Sequence, residues 1–364
     1  MNIGVDLTTS MGYQGTEVFA DNLILSLSTL SPTDQFFIYG TKQFVPLLVE
    51  HALPNVQFVE PRLESRIGRA FEQQCLLPFK TRRDRIDVIF SPSPFSSLFA
   101  RGKKIVTIHD AAYKRFPEYR STISRAYFSA AVFIAKHTAK KFITVSQFSK
   151  TELETYYHIK PSSIHIVENA LPQTSEGGNS TNRSLIDFGI NTPYIIFIGT
   201  PRPRKNLDGL LKAFAIARTS ESKLKLVLVG AFDKRFTASS KRIQELNLES
   251  SIIQTGFVTN AEKSTLLAQS VALVFPSLYE GFGLPILEAQ QANTPVICSN
   301  TSATPHTAGD GAMLVDPLNP TEIAGAITRL VSDASARNTL INRGAANLER
   351  FSWQTSATKL KTIF

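Results

Sequence analysis

Val271-Ala-Leu-Val-Phe275, Pro276-Ser-Leu-Tyr279, Glu280-Gly-Phe-Gly283, Leu284-Pro-Ile-Leu-Glu288: this stretch decides the fold. The apolar run Val271 to Phe275 reads as a strand buried on both faces, the habit of parallel sheets. It gives way to Pro276, then to a glycine loop, then to Pro285, which predicts a helix starting at that proline with Glu288 in its first turn. Gly281 and Gly283 let backbone N–H groups come close to a ligand, and a helix start beside them favours an anion such as phosphate. Glu280 and Glu288 flank that anion site. A carboxylate repels phosphate but accepts hydrogen bonds from hydroxyls, so the ligand expected here has a diphosphate and hydroxyl-rich ends. The plainer alternative is that Glu288 complements a helix dipole and Glu280 is solvated.

The same strand-loop-helix alternation runs outward in both directions. In the first half, strands are expected at 2–6, 36–39, 56–59, 88–90, 105–108, 142–145 and 164–167, with helices at 15–30, 119–139 and 149–157. The polar stretch QTSEGGNSTNR, residues 173–183, lacks periodicity and reads as a linker. Strands then resume at 194–198, 224–229, 252–254, 271–275, 296–298 and 313–315. The expectation is α/β: two Rossmann-like, doubly wound domains at 1–174 and 184–349, with the tail 350–364 packing back on the first. Ligands of such sheets bind outside the carboxyl ends of the strands, so the loops just after strands carry the interest, and a cleft between the two domains is expected there.

With 364 residues, 43% of them hydrophobic and 19% charged, the chain can bury large cores without staples. The beginning MNIGVDL reads as a strand rather than a leader, and no run approaches the ~18 apolar residues of a membrane span. Cys75 and Cys298 are far apart, which suits free thiols in a reducing, cytoplasmic setting. Net charge is +9. Residues 62–104 hold ten Lys and Arg (Arg62, Arg66, Arg69, Lys80, Arg82, Arg83, Arg85, Arg101, Lys103, Lys104) against four acids, so this segment carries most of the excess. Nucleic acid, an anionic membrane surface and a solvated face compete as explanations. Interleaved Phe71, Leu76, Leu77, Phe79, Phe95, Leu98 and Phe99 favour the membrane over nucleic acid, with a solvated face still open.

Three further loops follow strands. After the first comes TTSMGYQGTEVF, where Gly12 and Gly15 lead into a helix without forming the GxGxxG pattern, so a plain turn competes with a phosphate loop. After the strand ending at Ile108 comes His109-Asp110. The histidine could donate to a substrate hydroxyl or titrate near neutrality, with Asp110 orienting its ring, and a purely structural pair is the alternative. After the strand ending at Ile198 comes Gly199-Thr-Pro-Arg-Pro-Arg-Lys-Asn206, whose Arg202, Arg204 and Lys205 suit phosphate oxygens.

Taken together, FIGTPRPRKNLDGLLKAF, TGFVTNAEKSTLLAQSVALVFPSLYEGFGLPILEAQQANTPVICSN, TIHDAAYKRFPEY, VSQFSKTEL and IHIVENAL resemble glycosyltransferase family 4, enzymes of GT-B fold. The paired glutamates match the family's E-x7-E motif. The resemblance implies that Glu288 holds the donor's ribose, that Glu280 contacts the transferred sugar and that Arg204 with Lys205 clamps the diphosphate. Backbone around Gly281, Phe282, Gly283 and Leu284 would bind phosphate and sugar, and the base would lie by Phe257 and Val258. His109 matches the active-site histidine near the sugar's hydroxymethyl group, and Gly12 and Gly15 mark the loop that closes on phosphate and acceptor. Two positions depart from the pattern. Thr200 stands where many relatives have an arginine, with Arg202 as the substitute phosphate contact, and Pro305-His306 stands where relatives often have Pro-Glu.

The resemblance further implies retention of configuration without a metal or other cofactor, with positive groups stabilising the leaving diphosphate. No Asp-x-Asp pair is present to hold an ion. The tract HDAAYKRFPEY and the Pro-Arg-Lys-Asn loop look most like mannosyltransferases of bacterial polysaccharide and O-antigen assembly. GDP-mannose is therefore the expected donor, and UDP-sugars the alternative. The expected acceptor is a glycan or a polyprenyl-diphosphate-linked glycan, with peripheral docking on the inner face of the cytoplasmic membrane through residues 62–104. A nucleotide-sugar epimerase and a non-catalytic nucleotide-sugar sensor are the readings from other classes. Nucleic acid is not an expected partner, because two glutamates stand among the cations.

Overall fold

The computed structural model describes residues 1–10, 15–117, 121–173, 183–231 and 237–364. The chain divides into two compact units, Met1–Gly177 with Ser352–Phe364, and Gly178–Phe351. Each is an α/β unit around one parallel sheet.

The first sheet contains β1 (Asn2–Asp6), β2 (Gln35–Tyr39), β3 (Val56–Val59), β4 (Val88–Ser91), β5 (Lys103–Thr107), β6 (Lys141–Thr144) and β7 (Ile164–Ile166). The second contains β8 (Tyr194–Ile198), β9 (Lys225–Val229), β10 (Ile252–Gly256), β11 (Ala272–Phe275), β12 (Val296–Ser299) and β13 (Ala312–Val315). Their orders are β3-β2-β1-β4-β5-β6-β7 and β10-β9-β8-β11-β12-β13. Both are the Rossmann order, in which the winding reverses between the first and fourth strands and leaves a crevice at their carboxyl ends.

Burial explains why the strands read as continuous apolar runs. All four residues of β11 and of β12 are buried. Alternate residues serve opposite faces. Ile195, Phe197, Val274 and Ile297 pack with Leu210, Leu211 and Phe214 on one side. Ile196, Leu273, Phe275 and Val296 pack with Leu266 and Ile286 on the other. Each such side chain contributes about 2 kcal/mol by leaving water.

Boundaries shift where a cap decides them. The helix expected at 149–157 is Gln147–Tyr157, because the Ser146 hydroxyl accepts from the Ser149 amide and caps it. The helix expected at 119–139 is Thr122–Thr138, capped by Ser121, and Tyr119 lies outside the described residues. Of the linker 173–183, only its ends are described. The Gln173 amide donates to Asn22 Oδ1, and Arg183 pairs with Glu262.

The helix Trp353–Ile363 packs on the helix Gly15–Leu30. Trp353 donates from Nε1 to the Leu171 carbonyl at 2.8 Å and meets the edge of Phe19. Lys359 pairs with Glu168 at 3.2 Å.

Residues 66–83 hold a feature with no sequence signal: a π-turn, Glu72–Leu76, between the helices Arg66–Phe71 and Leu77–Arg83. The wider turn lets consecutive polar side chains reach different loops. Glu72 accepts from the amides of Arg62 and Leu63, Gln73 donates to Asp6 and Phe95, and Gln74 donates to the Ser96 carbonyl. The basic segment is accordingly not one uniform surface. Arg69 and Lys104 are buried, and Lys80 pairs with Glu72 at 2.5 Å.

Candidate functional site

The two loops singled out in the second unit follow β8 and β11, the strands at its switch point. After β8 the chain turns at Gly199, whose φ of +148° favours glycine, and enters a 3-10 turn, Pro203–Lys205. Asn206 then caps the helix Leu207–Ala217, with its side-chain oxygen accepting from the Gly209 amide. This arrangement aims Arg204 and Lys205 at the loop after β11.

Both cations meet Glu280. Lys205 Nζ lies 2.7 Å from Glu280 Oε1, and Arg204 Nη1 lies 3.0 Å from Oε2. The loops are also stitched through backbone: the Leu278 amide donates to the Arg204 carbonyl at 2.7 Å, and Arg204 Nη1 donates to the Tyr279 carbonyl at 3.0 Å. The lysine stem covers the Phe275 ring, with Nζ 4.5 Å from its centre. Ser302, after β12, accepts from the Glu280 amide through its hydroxyl.

Glu280 is therefore neither solvated nor isolated. Burial alone would raise its carboxyl, but the charges of Lys205 and Arg204 outweigh that and hold it below the ordinary carboxylate range. Burial pushes the Lys205 ammonium below its usual range, Glu280 opposes the shift, and Arg204 and Arg202 add to it. Among the described residues two cations meet this one carboxylate, and Arg202 adds to the local field. The cluster therefore favours an added anion.

The helix after the glycine loop is Leu284–Gln291, with Gly283 as its N-cap at φ +107°. It starts one residue before Pro285, which takes the second helical position, so Glu288 falls in the second turn rather than the first. Phe282 is buried edge-on against Phe351, and its carbonyl accepts from Thr307. Gly281 and Gly283 are buried in the same loop. The neighbouring short helix, Thr304–Ala308, carries His306, whose carbonyl accepts from Arg350.

Glu288 is held by a residue that sequence reasoning missed. Lys263 Nζ lies 2.7 Å from Glu288 Oε1. The lysine belongs to the helix Asn260–Ala268, whose start is unusually well fixed. Thr259 and Glu262 form a capping box, and Arg183 pairs with Glu262 at 2.9 Å while donating to the Phe257 carbonyl at 2.7 Å. Arg183 and the Thr259 amide depress the Glu262 carboxyl to about 2. Phe257 is 86% exposed at this end of β10, with Val258 half-buried beside it. In sequence, Lys263 is an ordinary polar position in NAEKSTLL, and its partner lies 25 residues on.

In the first unit, His109 follows β5. Its ring meets the edge of Phe19 at 5.1 Å, and its Nε2 lies 3.0 Å from the Pro92 carbonyl. A carbonyl can only accept, so Nε2 carries the proton. Burial lowers the pKa of His109 more than the Pro92 carbonyl and Asp110 raise it. The ring is thus neutral near pH 7, with Nδ1 an acceptor. Titration near neutrality, one of the readings of the sequence, does not suit a ring whose pKa burial lowers. Asp110 Oδ1 accepts from the Ala112 amide at 2.9 Å. Gly15 opens the helix Gly15–Leu30, and among the described residues nothing lies within 4 Å of where a Cβ would stand. Gly12 lies outside the described residues. Among the described residues, no three His, Cys, Asp or Glu side chains gather to hold a metal.

The chain and its two Rossmann-order sheets match known proteins. Residues 183–347 match the family model described as Glycosyl transferases group 1, and residues 14–173 match Glycosyltransferase Family 4. The chain is a family 4-like GT-B glycosyltransferase. The O-antigen chain mannosyltransferase B of Escherichia coli is 29% identical over 76% of this chain and 74% of that protein. The MMP alpha-(1→4)-mannosyltransferase of Mycolicibacterium hassiacum is 28% identical over 62% of this chain and 53% of its own length. The crystal structure of Anabaena HepE in complex with UDP and glucose superposes with a TM-score of 0.72 at 19% identity, covering 99% of this chain and 98% of that one. At that identity the likeness speaks for the GT-B fold, and the sequence relatives speak for glycosyl transfer.

Proposed function

We propose that this glycosyltransferase moves mannose from GDP-mannose, with retention and without a metal, to a glycan or polyprenyl-diphosphate-linked acceptor in surface polysaccharide assembly. The observation that carries the reading is the buried cluster of Arg204, Lys205 and Glu280 between the loops after β8 and β11. A diphosphate suits its positive charge, and a sugar hydroxyl suits its carboxylate. The mannosyltransferase names of the sequence relatives support the sugar. The UDP and glucose in the HepE structure keep UDP-glucose as the second donor to test.

In this reading Arg204 and Lys205, with Arg202 beside them, hold the diphosphate together with backbone around Gly281, Phe282, Gly283 and Leu284. As phosphate oxygens take up the cations, the Glu280 carboxylate is released toward a sugar hydroxyl. Glu288 accepts from ribose hydroxyls, and the base lies by Phe257 and Val258. In the first unit, neutral His109 offers Nδ1 as an acceptor to a sugar hydroxyl. The bond from the sugar's anomeric carbon to the diphosphate breaks as the acceptor oxygen bonds on the same face. The acceptor's proton passes to the leaving phosphate oxygen, so the protein supplies charge and orientation rather than a nucleophile. A thermal-shift screen of nucleotide sugars followed by a transfer assay tests this. GDP-mannose is expected to raise Tm with the logarithm of its concentration over Kd. A rise with UDP-sugars alone would move the donor, and no rise with any nucleotide sugar would reject the reading.

The same reading includes docking of residues 62–104 on an anionic membrane. Ile67, Phe71, Phe79, Leu98 and Phe99 are exposed alongside Arg66, Arg82, Arg83, Arg85 and Arg101. The helix Thr122–Thr138 extends this face, because Tyr127 stacks on Phe95 at 4.9 Å and Ile123 and Phe133 are exposed on the same helix. No helix among the described residues is long and apolar enough to cross a membrane. Sedimentation with anionic vesicles is expected to fall several-fold when Arg82, Arg83 and Arg85 are reversed to Glu, each cation near such a surface being worth about 1 kcal/mol. Unchanged sedimentation would reject the docking role.

A further inference from the structure

We infer that Lys263 is a positioning residue of the donor site: it holds the Glu288 carboxylate so that one oxygen is anchored and the other is presented to the ribose of a nucleoside diphosphate. The inference deepens the donor-site reading above and rests on it.

The geometry comes from two helices. Glu288 stands in the second turn of Leu284–Gln291, directly beyond the glycine loop, with its side chain half-buried. Lys263 approaches from the helix Asn260–Ala268 and takes Oε1 at 2.7 Å. That helix cannot drift, because the capping box of Thr259 and Glu262 and the two-sided grip of Arg183 fix its first turn to the segment carrying Phe257 and Val258. Lys263 therefore links the segment assigned to the base with the carboxylate assigned to the ribose.

The pair is poorly suited to a purely structural task. Both side chains keep contact with solvent, 23% exposed for Lys263 and 16% for Glu288, and such an ion pair contributes little to folding. Its effect is orientation: a carboxylate fixed through one oxygen can accept a hydroxyl on the other without first losing rotamer entropy. The ammonium also has three donors, of which Glu288 takes one, so a ribose oxygen can share it.

The test is a set of calorimetric titrations of the full chain with GDP and with 2′,3′-dideoxy-GDP, and the same pair for UDP, using the native chain, Lys263→Met, Lys263→Arg, Glu288→Gln and the double variant. Lys263→Met is expected to weaken the ribonucleotide about tenfold, the scale of a hydrogen bond to a charged group. It is expected to leave the dideoxynucleotide within about twofold, and to add nothing once Glu288 is Gln. Lys263→Arg should restore most of the affinity. If Lys263→Met does not fold, Lys263→Ala, which also removes the ammonium and suits a helix, carries the same comparison.

Equal weakening of ribo- and dideoxynucleotide, or a loss additive to that of Glu288→Gln, would overturn the inference while leaving the donor site standing. A native chain that binds neither GDP nor UDP would overturn both.

Discussion

Replacing Glu280 by Gln is expected to reduce sugar transfer by about 10² to 10³-fold, the scale of losing one preorganised polar contact at a reacting centre. Nucleoside diphosphate binding is expected to survive, and to tighten. The direction follows from the cluster itself. Glu280 takes both Arg204 and Lys205, at 3.0 and 2.7 Å, so a diphosphate must compete with it for the same cations. Neutralising the carboxylate removes the competitor and leaves the cations less satisfied. Activity and binding should therefore move in opposite directions, which a general loss of structure cannot produce. Turnover rates measured beside nucleotide affinities decide the matter. Full turnover in Glu280→Gln would end the role assigned to this residue, and affinity that falls in step with activity would reduce it to a structural strut.

Lys205→Met should both destabilise the second unit and lower transfer. Lys205 and Glu280 are each about nine-tenths buried, and removing one partner of a buried pair costs about 3 kcal/mol because the other charge stays behind in a poor dielectric. Arg204 remains as a partner, which keeps the estimate at the low end of such effects. At about 2 to 4 °C per kcal/mol for a unit of this size, the melting transition should fall by about 6 to 12 °C. The double variant Lys205→Met, Glu280→Gln is expected to recover most of that stability, since no buried carboxylate is stranded, yet to remain inactive. A single variant as stable as the native chain would mean that solvent reaches the pair, and active double-variant protein would remove both residues from the chemistry.

These predictions rest on contacts that the sequence reading approached from one side only. The loop glycines, the cations at 202–205 and the two glutamates were legible because each follows a recognisable strand, and parallel α/β sheets gather such loops at one edge. What could not be read was that Glu280 is bound to the cations themselves. From the sequence the carboxylate and the clamp were separate parts of a ligand site, and the structure joins them in one buried cluster. Lys263 was illegible for the same reason: nothing in a helix of polar and apolar residues says which distant side chain a lysine will meet. His109 was singled out by its place after a strand, but its protonation depends on the Pro92 carbonyl and on burial, both supplied from elsewhere in the chain.

The sequence by itself determined the elements. Runs such as Val271 to Phe275 are too apolar for anything but a strand covered on both faces, and the glycines and prolines that interrupt them mark where each chain segment must turn. Those are local consequences of side-chain hydrophobicity and backbone freedom, and adjacent residues suffice to state them. Only the tertiary structure decided the order of strands in each sheet, the π-turn at Glu72–Leu76, and the partners of Glu280, Glu288 and His109. Charge and hydrogen bonding act through distances of about 3 Å in space, and residues brought that close stand 17 (109 − 92) to 76 (280 − 204) positions apart along the chain.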